Sequence, residues 1–202
     1  MAEMDDKKLR GKKNPSPPTV AQLKAELKRE QYRRRYSNVL RSTIYTLIVV
    51  AAISVLTATL FLPILQIYGS SMEPTVSAGN IVVSVKGAEL EQGDVISFYY
   101  QNTVLVKRVI AGAGDWVDID EDGNVYVNGT LLEEPYLTEK AYGEVTVTLP
   151  YQVPEGRIFV MGDHRSTSVD SRTTEVGCVA EENIVGKIVF RIWPLSQFGF
   201  VS

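Results

Sequence analysis

A long stretch without any charged residue, residues 42–72, constrains this chain more than any other feature. Its central part, residues 44–65, is rich in Leu, Ile, Val, Ala and Phe. About 20 apolar residues are enough to cross the hydrocarbon core of a bilayer as a helix. The sequence therefore predicts one transmembrane helix over residues 42–65, with Pro63 at its exit or at a kink. A cleaved signal peptide is the alternative, but its apolar region is usually only about 7–15 residues long.

The charges of the chain are divided between the two sides of this stretch. Residues 1–42 contain 12 of the 21 Lys and Arg residues but only 5 of the 24 Asp and Glu residues, so their net charge is +7. The rest of the chain carries a net charge of −10. Basic residues that flank a membrane helix usually stay in the cytoplasm. We therefore expect a single-pass protein of the cell membrane, with a cytoplasmic N-terminus and an extracytoplasmic domain over residues 66–202.

The arm before the helix, residues 1–41, is predicted to be disordered to partly helical. Residues 1–20 are polar and contain three prolines, as is typical of a disordered tail. Leu23 and Leu27 follow at the i, i+4 spacing of a short helix.

After residue 75 the pattern changes to short runs of β-type residues separated by Gly, Asn and Asp turn signals. These features predict a mainly β fold, an antiparallel β-barrel or a sandwich-like domain. The predicted strands are residues 81–85, 94–100, 103–110, 116–119, 125–127, 144–149, 157–161 and 184–192.

Cysteine and histidine are scarce, which excludes several kinds of site. Cys178 is the only cysteine, so neither an intrachain disulfide nor a cysteine metal site can form. His164 is the only histidine, so no site can use two imidazoles. No basic patch follows the arm, so we expect no nucleic-acid partner, and we expect no metal and no cofactor.

Lys107 stands in a run of branched apolar residues. In a strand it shares a face with Leu105 and Val109, since side chains alternate between faces. Burial would lower the pKa of its amine and make it a competent general base. The alternative is an edge-strand lysine whose stem covers apolar surface while its head reaches water. This run by itself favours the second interpretation.

Ser71 lies at the end of the apolar stretch, in a segment whose residues are also typical of an ordinary turn. A serine hydroxyl becomes nucleophilic only when a base removes its proton, and no base is adjacent in the sequence. Lys107 and His164 are the two candidates for that base.

A polar segment follows the apolar run 158–161. Asp163, Arg165, Asp170 and Arg172 can form an ion-pair network there. The segment is either a solvated loop or the rigid wall of a site.

Together these segments closely resemble bacterial type I signal peptidases, which are Ser–Lys membrane proteases. The matching segments are Ser-Met-Glu-Pro-Thr at 71–75, Lys-Arg-Val-Ile at 107–110 with Gly-Asp at 114–115, and Gly-Asp-His-Arg at 162–165 with Ser168 and Asp-Ser-Arg at 170–172. Their order, their spacing and the preceding anchor all agree with that family, over roughly residues 40–195.

The resemblance implies a role for each matching residue. Ser71 would be the nucleophile and Lys107 its general base. Ser168 would hydrogen-bond the amine of Lys107, and Asp170 would pair with Arg172 to hold the loop. Asp163 and Arg165, in the same loop, would have supporting roles.

Two positions depart from the family pattern. Gly69 stands where many members carry a serine that supplies a second oxyanion donor beside the Ser71 N–H. The second donor therefore stays open between Ser70 and a water molecule. His164 replaces the usual asparagine, which affects the local hydrogen bonds of the loop.

The resemblance also implies an extended peptide substrate with small residues, typically alanine, one and three positions before the cut. Tyr68, Gly69, Met72 and Leu105 would line its binding site. The expected partners are pre-protein signal peptides, membrane lipid and a secretion translocon.

Three other functions are alternatives. A Ser-His-Asp hydrolase would use Ser71, His164 and Asp170, but it would leave Lys107 unexplained. A catalytically inactive relative that binds pre-proteins or assembles surface fibres would be expected to lack the serine or the lysine. A self-cleaving repressor-type Ser–Lys protease would need a DNA-binding domain where this chain has its apolar stretch.

Overall fold

The structure is a computed structural model that describes residue 17 and residues 19–201. Most of the predicted disordered tail, residues 1–20, therefore lies outside the described residues. The chain divides into two compact units, with the boundary between Ser54 and Val55.

Helix α1 spans Val20–Phe61, a length of 42 residues. Thr19 precedes it, and the Gln22 side chain accepts a hydrogen bond from the Thr19 N–H (2.9 Å), which is one half of a capping box. Hydroxyl groups inside the apolar part bond back to the helix, as Ser54 does to the Val50 carbonyl (2.9 Å). By length and composition α1 can cross a membrane.

The helix ends at Phe61, four residues before the predicted end at residue 65. Pro63 cannot continue a helix because it lacks an N–H and its ring collides with the preceding turn. The next residues form a strand, in which Ile64 pairs with Val83 and Gln66 with Ile81. Sheet pairing, which the apolar run does not reveal, takes these residues out of the helix.

The described residues after α1 form twelve strands and two short 3-10 helices. The strands are β1 Ile64–Gln66, β2 Ile81–Val85, β3 Val95–Tyr100, β4 Thr103–Ala111, β5 Trp116–Ile119, β6 Val125–Val127, β7 Thr130–Leu131, β8 Tyr151–Gln152, β9 Arg157–Met161, β10 Val179–Ala180, β11 Ile184–Trp193 and β12 Gly199–Phe200. The 3-10 helices are Glu181–Asn183 and Leu195–Gln197.

These strands form two antiparallel sheets. The larger sheet has eight strands, in the order β1-β2-β11-β3-β4-β9-β10 with β12 paired to β11. The smaller sheet has the order β7-β6-β5-β8. The prediction of a mainly antiparallel β fold behind one apolar helix is confirmed. Neither sheet closes into a barrel within the described part of the chain.

The predicted strand over residues 144–149 is wrong. Its alternating side chains do point partly inward at Val145 and Val147. However, the N–H groups of Thr146 and Val147 both bond to the carbonyl of Arg172, at 2.9 and 3.2 Å, instead of to a neighbouring strand. The alternation of apolar and polar residues shows which side chains face the core, but a β-strand also needs backbone hydrogen bonds to a neighbouring strand.

Three apolar clusters form the core, and one of them lies directly beneath Ser71. In that cluster Met72 and Val76 are buried together with Ile67, Val82 and Ile188. Because both sides of the turn that carries Ser71 are anchored in this cluster, its backbone is held firmly against the large sheet.

Candidate active site

Ser71 lies on a tight turn between β1 and β2. The Glu73 N–H donates to the Ser70 carbonyl (3.0 Å), and the Val76 N–H donates to the Met72 carbonyl (3.0 Å). Met72 is 2% exposed and therefore fixes the turn from below. Ser71 itself is half-buried, so its hydroxyl is held in place but can be reached.

Lys107 points at this hydroxyl from the middle of β4. Its Nζ donates to Ser71 Oγ at 2.7 Å, across 36 residues of sequence. The lysine is only 3% exposed. Of the two interpretations of the sequence, the structure therefore favours the buried lysine over the edge-strand lysine with its head in water.

Burial lowers the pKa of the Lys107 amine to about 8. The carboxylates of Asp170 and Asp163 oppose this effect, and the guanidinium of Arg172 adds to it. With a pKa of about 8, roughly a tenth of the amine is neutral at pH 7, against about one part in 2,500 for a free lysine. The site therefore holds a base that can accept the proton of Ser71 near neutral pH.

The loop after β9 contributes residues to three buried ion pairs, two of which involve Asp163 and Asp170. Asp163 accepts from Arg108 Nε (2.9 Å) and Nη2 (2.8 Å). Asp170 accepts from Arg172 Nε and Nη2, both at 2.9 Å. The Thr75 hydroxyl also donates to Asp163, which links this loop to the turn of Ser71.

The Asp170 carboxylate is held ionised although it is buried. Burial alone would raise its pKa, but the Arg172 guanidinium and the Gly162 N–H, which donates at 2.9 Å, lower the pKa below its ordinary value. Asp170 thereby fixes the backbone of Gly162, which lies against Ser71.

A narrow groove of about 100 Å³ runs past Ser71. Its lining includes Tyr68, Gly69, Met72 and Leu105, the four residues predicted to contact substrate. One wall continues from β1, which pairs only with β2 and ends the large sheet. The other wall is residues 104–106 of β4, which pair with β3 but lie before the first β4–β9 pair at Arg108. Both walls therefore present unpaired strand edges to the groove.

A comparison with protein families matches residues 40–193 to the family described as "Signal peptidase, peptidase S26". The chain belongs to this family. Its members are serine endopeptidases with a characteristic Ser–Lys dyad. This chain is thus a serine endopeptidase, and its apolar helix fits a membrane anchor.

Individual proteins are similar to this chain. Signal peptidase IB of Staphylococcus aureus strain COL is 38% identical over 152 residues, which cover 65% of this chain and 78% of the relative. Thylakoidal processing peptidase 1, chloroplastic, of Arabidopsis thaliana is 36% identical over 149 residues, 65% of this chain and 42% of that protein. A crystal structure of signal peptidase I from Enterococcus faecalis V583 has 29% identity and a TM-score of 0.43, and the match covers 50% of this chain and 97% of that one.

Ser168 differs from the expectation for this signal peptidase. Its hydroxyl is buried, yet it has no hydrogen bond of normal geometry within the described residues, to Lys107 or to any other group. It lies near enough to the Asp170 carboxylate to favour the ionised form of that group. The side-chain hydrogen bond that the Lys107 amine makes goes to the Ser71 hydroxyl.

His164 contacts Ser71 through its backbone. The His164 N–H donates to the Ser71 carbonyl at 3.0 Å. Its Nδ1 is buried and has no hydrogen-bond partner among the described residues. The Ser71 hydroxyl is bonded to Lys107 and not to the His164 imidazole, which argues against a Ser-His-Asp triad in this signal peptidase.

The sequence patterns missed several residues that build the site. Arg108 and Thr75 belong to the matching motifs, which could therefore have pointed to them. Glu134, which pairs with Arg165, and Tyr136, which lies over Arg108, come from a segment that carries no such signal.

Replacing Gly162 by Ala should lower the cleavage rate at least about tenfold in a protein that still folds. A Cβ at this position would lie 2.2 Å from Ser168 Oγ and 2.5 Å from the Ser71 carbonyl oxygen, so the turn of Ser71 must shift. A misplacement of about 1 Å near the chemistry can cost about a hundredfold in rate. Gly112→Ala is the control for loss of a glycine, because its φ lies outside the left-handed region and a Cβ there meets only Asp115 Oδ2, at an ordinary 3.8 Å. Equal rates for Gly162→Ala and the unchanged protein would contradict this prediction.

Proposed function

We propose that this protein is a membrane-anchored signal peptidase I that removes N-terminal signal peptides from exported pre-proteins, with Ser71 as nucleophile and Lys107 as general base. The observation that carries the assignment is the 2.7 Å hydrogen bond between a buried lysine and a reachable serine. The family supplies the reaction class, and the groove beside Ser71 supplies a place for an extended peptide.

The first half of the reaction forms an acyl-enzyme. Neutral Lys107 takes the proton of the Ser71 hydroxyl, and Oγ attacks the scissile carbonyl carbon to give a tetrahedral oxyanion. The Lys107 ammonium then donates that proton to the leaving nitrogen, so the C–N bond breaks and the mature protein departs with a free amino group. The signal peptide remains esterified to Ser71.

The second half returns the enzyme to its starting state. Lys107, neutral again, takes a proton from a water molecule, which attacks the ester carbonyl. The ester C–O bond breaks, Ser71 regains its proton from Lys107, and the signal peptide leaves as a carboxylic acid that releases its proton to the solvent. The Ser71 N–H is the proposed oxyanion donor, since it donates to no acceptor in the described part of the chain.

The loop residues hold the dyad in this scheme. Asp170 and Arg172 fix the backbone around Gly162, and Asp163 ties the turn of Ser71 to the strand of Lys107 through Arg108 and Thr75. Arg165 donates from Nε to the Gly162 carbonyl at 3.1 Å. The unbonded hydroxyl of Ser168 is free to bond the Lys107 amine or the substrate when the groove is filled.

The size and edges of the groove suit the proposed substrate. An extended peptide can add as a strand between the two unpaired edges, with main-chain hydrogen bonds on both sides. The cavity beside Ser71 is small, about 100 Å³, which favours small side chains there. Met72 and Leu105 line it, which agrees with alanine-like residues before the cut.

The test is cleavage of a pre-protein by the detergent-solubilised full chain, with no added metal or nucleotide. Two substrates are compared that differ only in having alanine or leucine one position before the cut. Release of the mature protein from the first alone is the expected result. Failure to cut either substrate would overturn the function, and equal cutting of both would overturn the role of the groove.

We propose that α1 crosses the cell membrane with residues 1–41 in the cytoplasm and residues 66–202 outside. The support is the basic cluster that ends at Arg41 and the charge-free stretch that follows. Membrane lipid then surrounds the apolar part of α1. A secretion translocon is a further proposed partner, because it would deliver the pre-protein on the outer side.

Protease added to intact spheroplasts should cut only residues 66–202, and the basic arm should become accessible only after the membrane is opened. The physical reason is the cost of moving a cluster of arginines through the hydrocarbon core. Epitope tags before residue 20 and after residue 202 would report the two ends. Degradation of both tags from the same side would disprove this orientation.

A further inference from the structure

Three arginines around the dyad are almost completely buried: Arg108 on β4, and Arg165 and Arg172 in the loop after β9. Arg108 and Arg165 are 1% exposed, and Arg172 is 0% exposed. A buried guanidinium is costly unless it is paired and its N–H groups are bonded. The groups that satisfy these arginines therefore determine whether the loop keeps its shape.

One irregular segment, residues 132–149 between β7 and β8, touches all three of them. We call it the brace. The Tyr136 ring lies over the Arg108 guanidinium, with Cζ 3.8 Å from the ring centre. Glu134 forms a buried ion pair with Arg165, whose Nη1 lies 3.2 Å from Glu134 Oε2. The carbonyl of Tyr142 accepts from Arg172 Nη1 at 2.8 Å.

Glu134 and Tyr136 are themselves joined within the brace. The Tyr136 hydroxyl donates to Glu134 Oε1 at 3.0 Å. Burial raises the pKa of this hydroxyl above its ordinary value, so it stays protonated and remains a donor. Glu134 therefore accepts from Tyr136 and Arg165 together.

We propose that Glu134 is a positioning residue for the dyad, and that it acts through Arg165. A continuous set of contacts connects them. Arg165 is held by Glu134 and donates to the Gly162 carbonyl. Gly162 lies against the Ser71 carbonyl. A displacement of Arg165 therefore moves Gly162, and Gly162 in turn moves the backbone of Ser71. Tyr136 assists from the other side, where it holds Glu134 and covers Arg108.

Charge gives this role a second, independent consequence. The charged groups that act on the Lys107 amine are Asp170, Arg172 and Asp163. All three stand in the same loop as Arg165. Without the Glu134 charge, Arg165 either stays as an uncompensated cation or turns toward the carboxylates of Asp163 and Asp170. Both responses make the surroundings of Lys107 more positive and disfavour its ammonium form.

The experiment uses Glu134→Gln in the full chain in detergent, with Glu133→Gln as the matched control. Glu133 is the adjacent residue, carries the same charge and is exposed. The titration of Lys107 is followed by ¹³C NMR of lysine-labelled protein, with the resonance assigned by Lys107→Met. Cleavage is measured in parallel, and that arm rests on the proposed function.

For Glu134→Gln we expect the titration midpoint of Lys107 to fall by about 0.3 pH unit or more, because the added positive character opposes protonation. We expect kcat to fall about tenfold with KM within about twofold, since the dyad and not the groove is displaced. Tyr136→Phe should lower kcat less, because the ring remains over Arg108. Glu133→Gln should match the unchanged protein in both measurements.

An unchanged midpoint and an unchanged kcat in folded Glu134→Gln would overturn the proposal, as would equal effects of Glu133→Gln. If Glu134→Gln does not fold, Glu134→Gln with Arg165→Gln removes both charges and leaves no unpaired ion. That double variant should fold with a Lys107 midpoint near the unchanged value and a reduced kcat, and full activity would overturn the proposal. If the protein cuts no pre-protein at all, the proposed function fails, and the Lys107 titration decides this inference alone.

Discussion

Ser71→Ala and Lys107→Ala should each reduce pre-protein cleavage at least about a hundredfold while the protein still folds. Ser71 supplies the oxygen that forms the acyl-enzyme, and no other hydroxyl is bonded to Lys107 in the described residues. Lys107 supplies the base, without which the serine hydroxyl stays protonated. Removing either member of a unit that acts together costs about as much as removing both, so the double variant should be no slower than the singles.

The matched controls for this prediction replace a serine and a lysine outside the site. They are Ser77→Ala and Lys86→Ala, at positions between the turn of Ser71 and β3 in the sequence. Both should cleave at the unchanged rate. Thermal unfolding and the protease resistance of residues 66–202 show whether each variant is folded. Residual activity above about a hundredth in a folded Ser71→Ala or Lys107→Ala variant would refute the dyad assignment.

The cleavage rate should rise with pH through an apparent pKa of about 8, the value to which burial lowers the Lys107 amine. Catalysis needs this amine neutral. Below pH 8 the neutral fraction, and with it the rate, should therefore rise about tenfold per pH unit and then level off. An ordinary lysine would place the same acidic limb near pH 10.4. The measurement is kcat/KM between pH 5 and pH 10 in the detergent-solubilised full chain.

The same pH dependence applies to stability, with the sign set by the lowered pKa. Above about pH 10.5 the amine is neutral in both the folded and the unfolded chain, so it contributes no difference there. Between about pH 8 and pH 10.5 the unfolded chain binds the proton that the folded chain has released, so the free energy of unfolding falls as pH falls. Below pH 8 the full cost of burying the charged amine is present. The lysine therefore destabilises the fold at neutral pH.

His164→Asn distinguishes the lysine from the other candidate base. The imidazole has no hydrogen bond to Ser71, and the backbone N–H that contacts Ser71 is kept in the variant. The acidic limb should therefore stay where it is. A limb that moves or disappears with His164→Asn would identify His164 as the titrating base and exclude the lysine mechanism.

The sequence alone determined the parts of this protein that depend on local pattern. The uncharged stretch predicted the part of α1 over residues 42–61, because crossing a bilayer as a helix requires a long apolar segment. Alternation and turn residues predicted β2, β5, β6 and β9 with the bounds that the structure has. The ordered motifs pointed to the family and to Ser71 and Lys107 as a pair, although neither residue was informative when taken singly.

The tertiary structure decided which backbones pair and which charges meet. Residues 64–66 left the helix because β2 offered a partner, and residues 144–149 formed no strand because Arg172 took their hydrogen bonds. The burial of Lys107, and hence its low pKa, depends on side chains from distant segments packing around it. Glu134 meets Arg165 across 31 residues of sequence. Local pattern reports how a segment would fold, but only long-range packing brings such groups together and removes them from water.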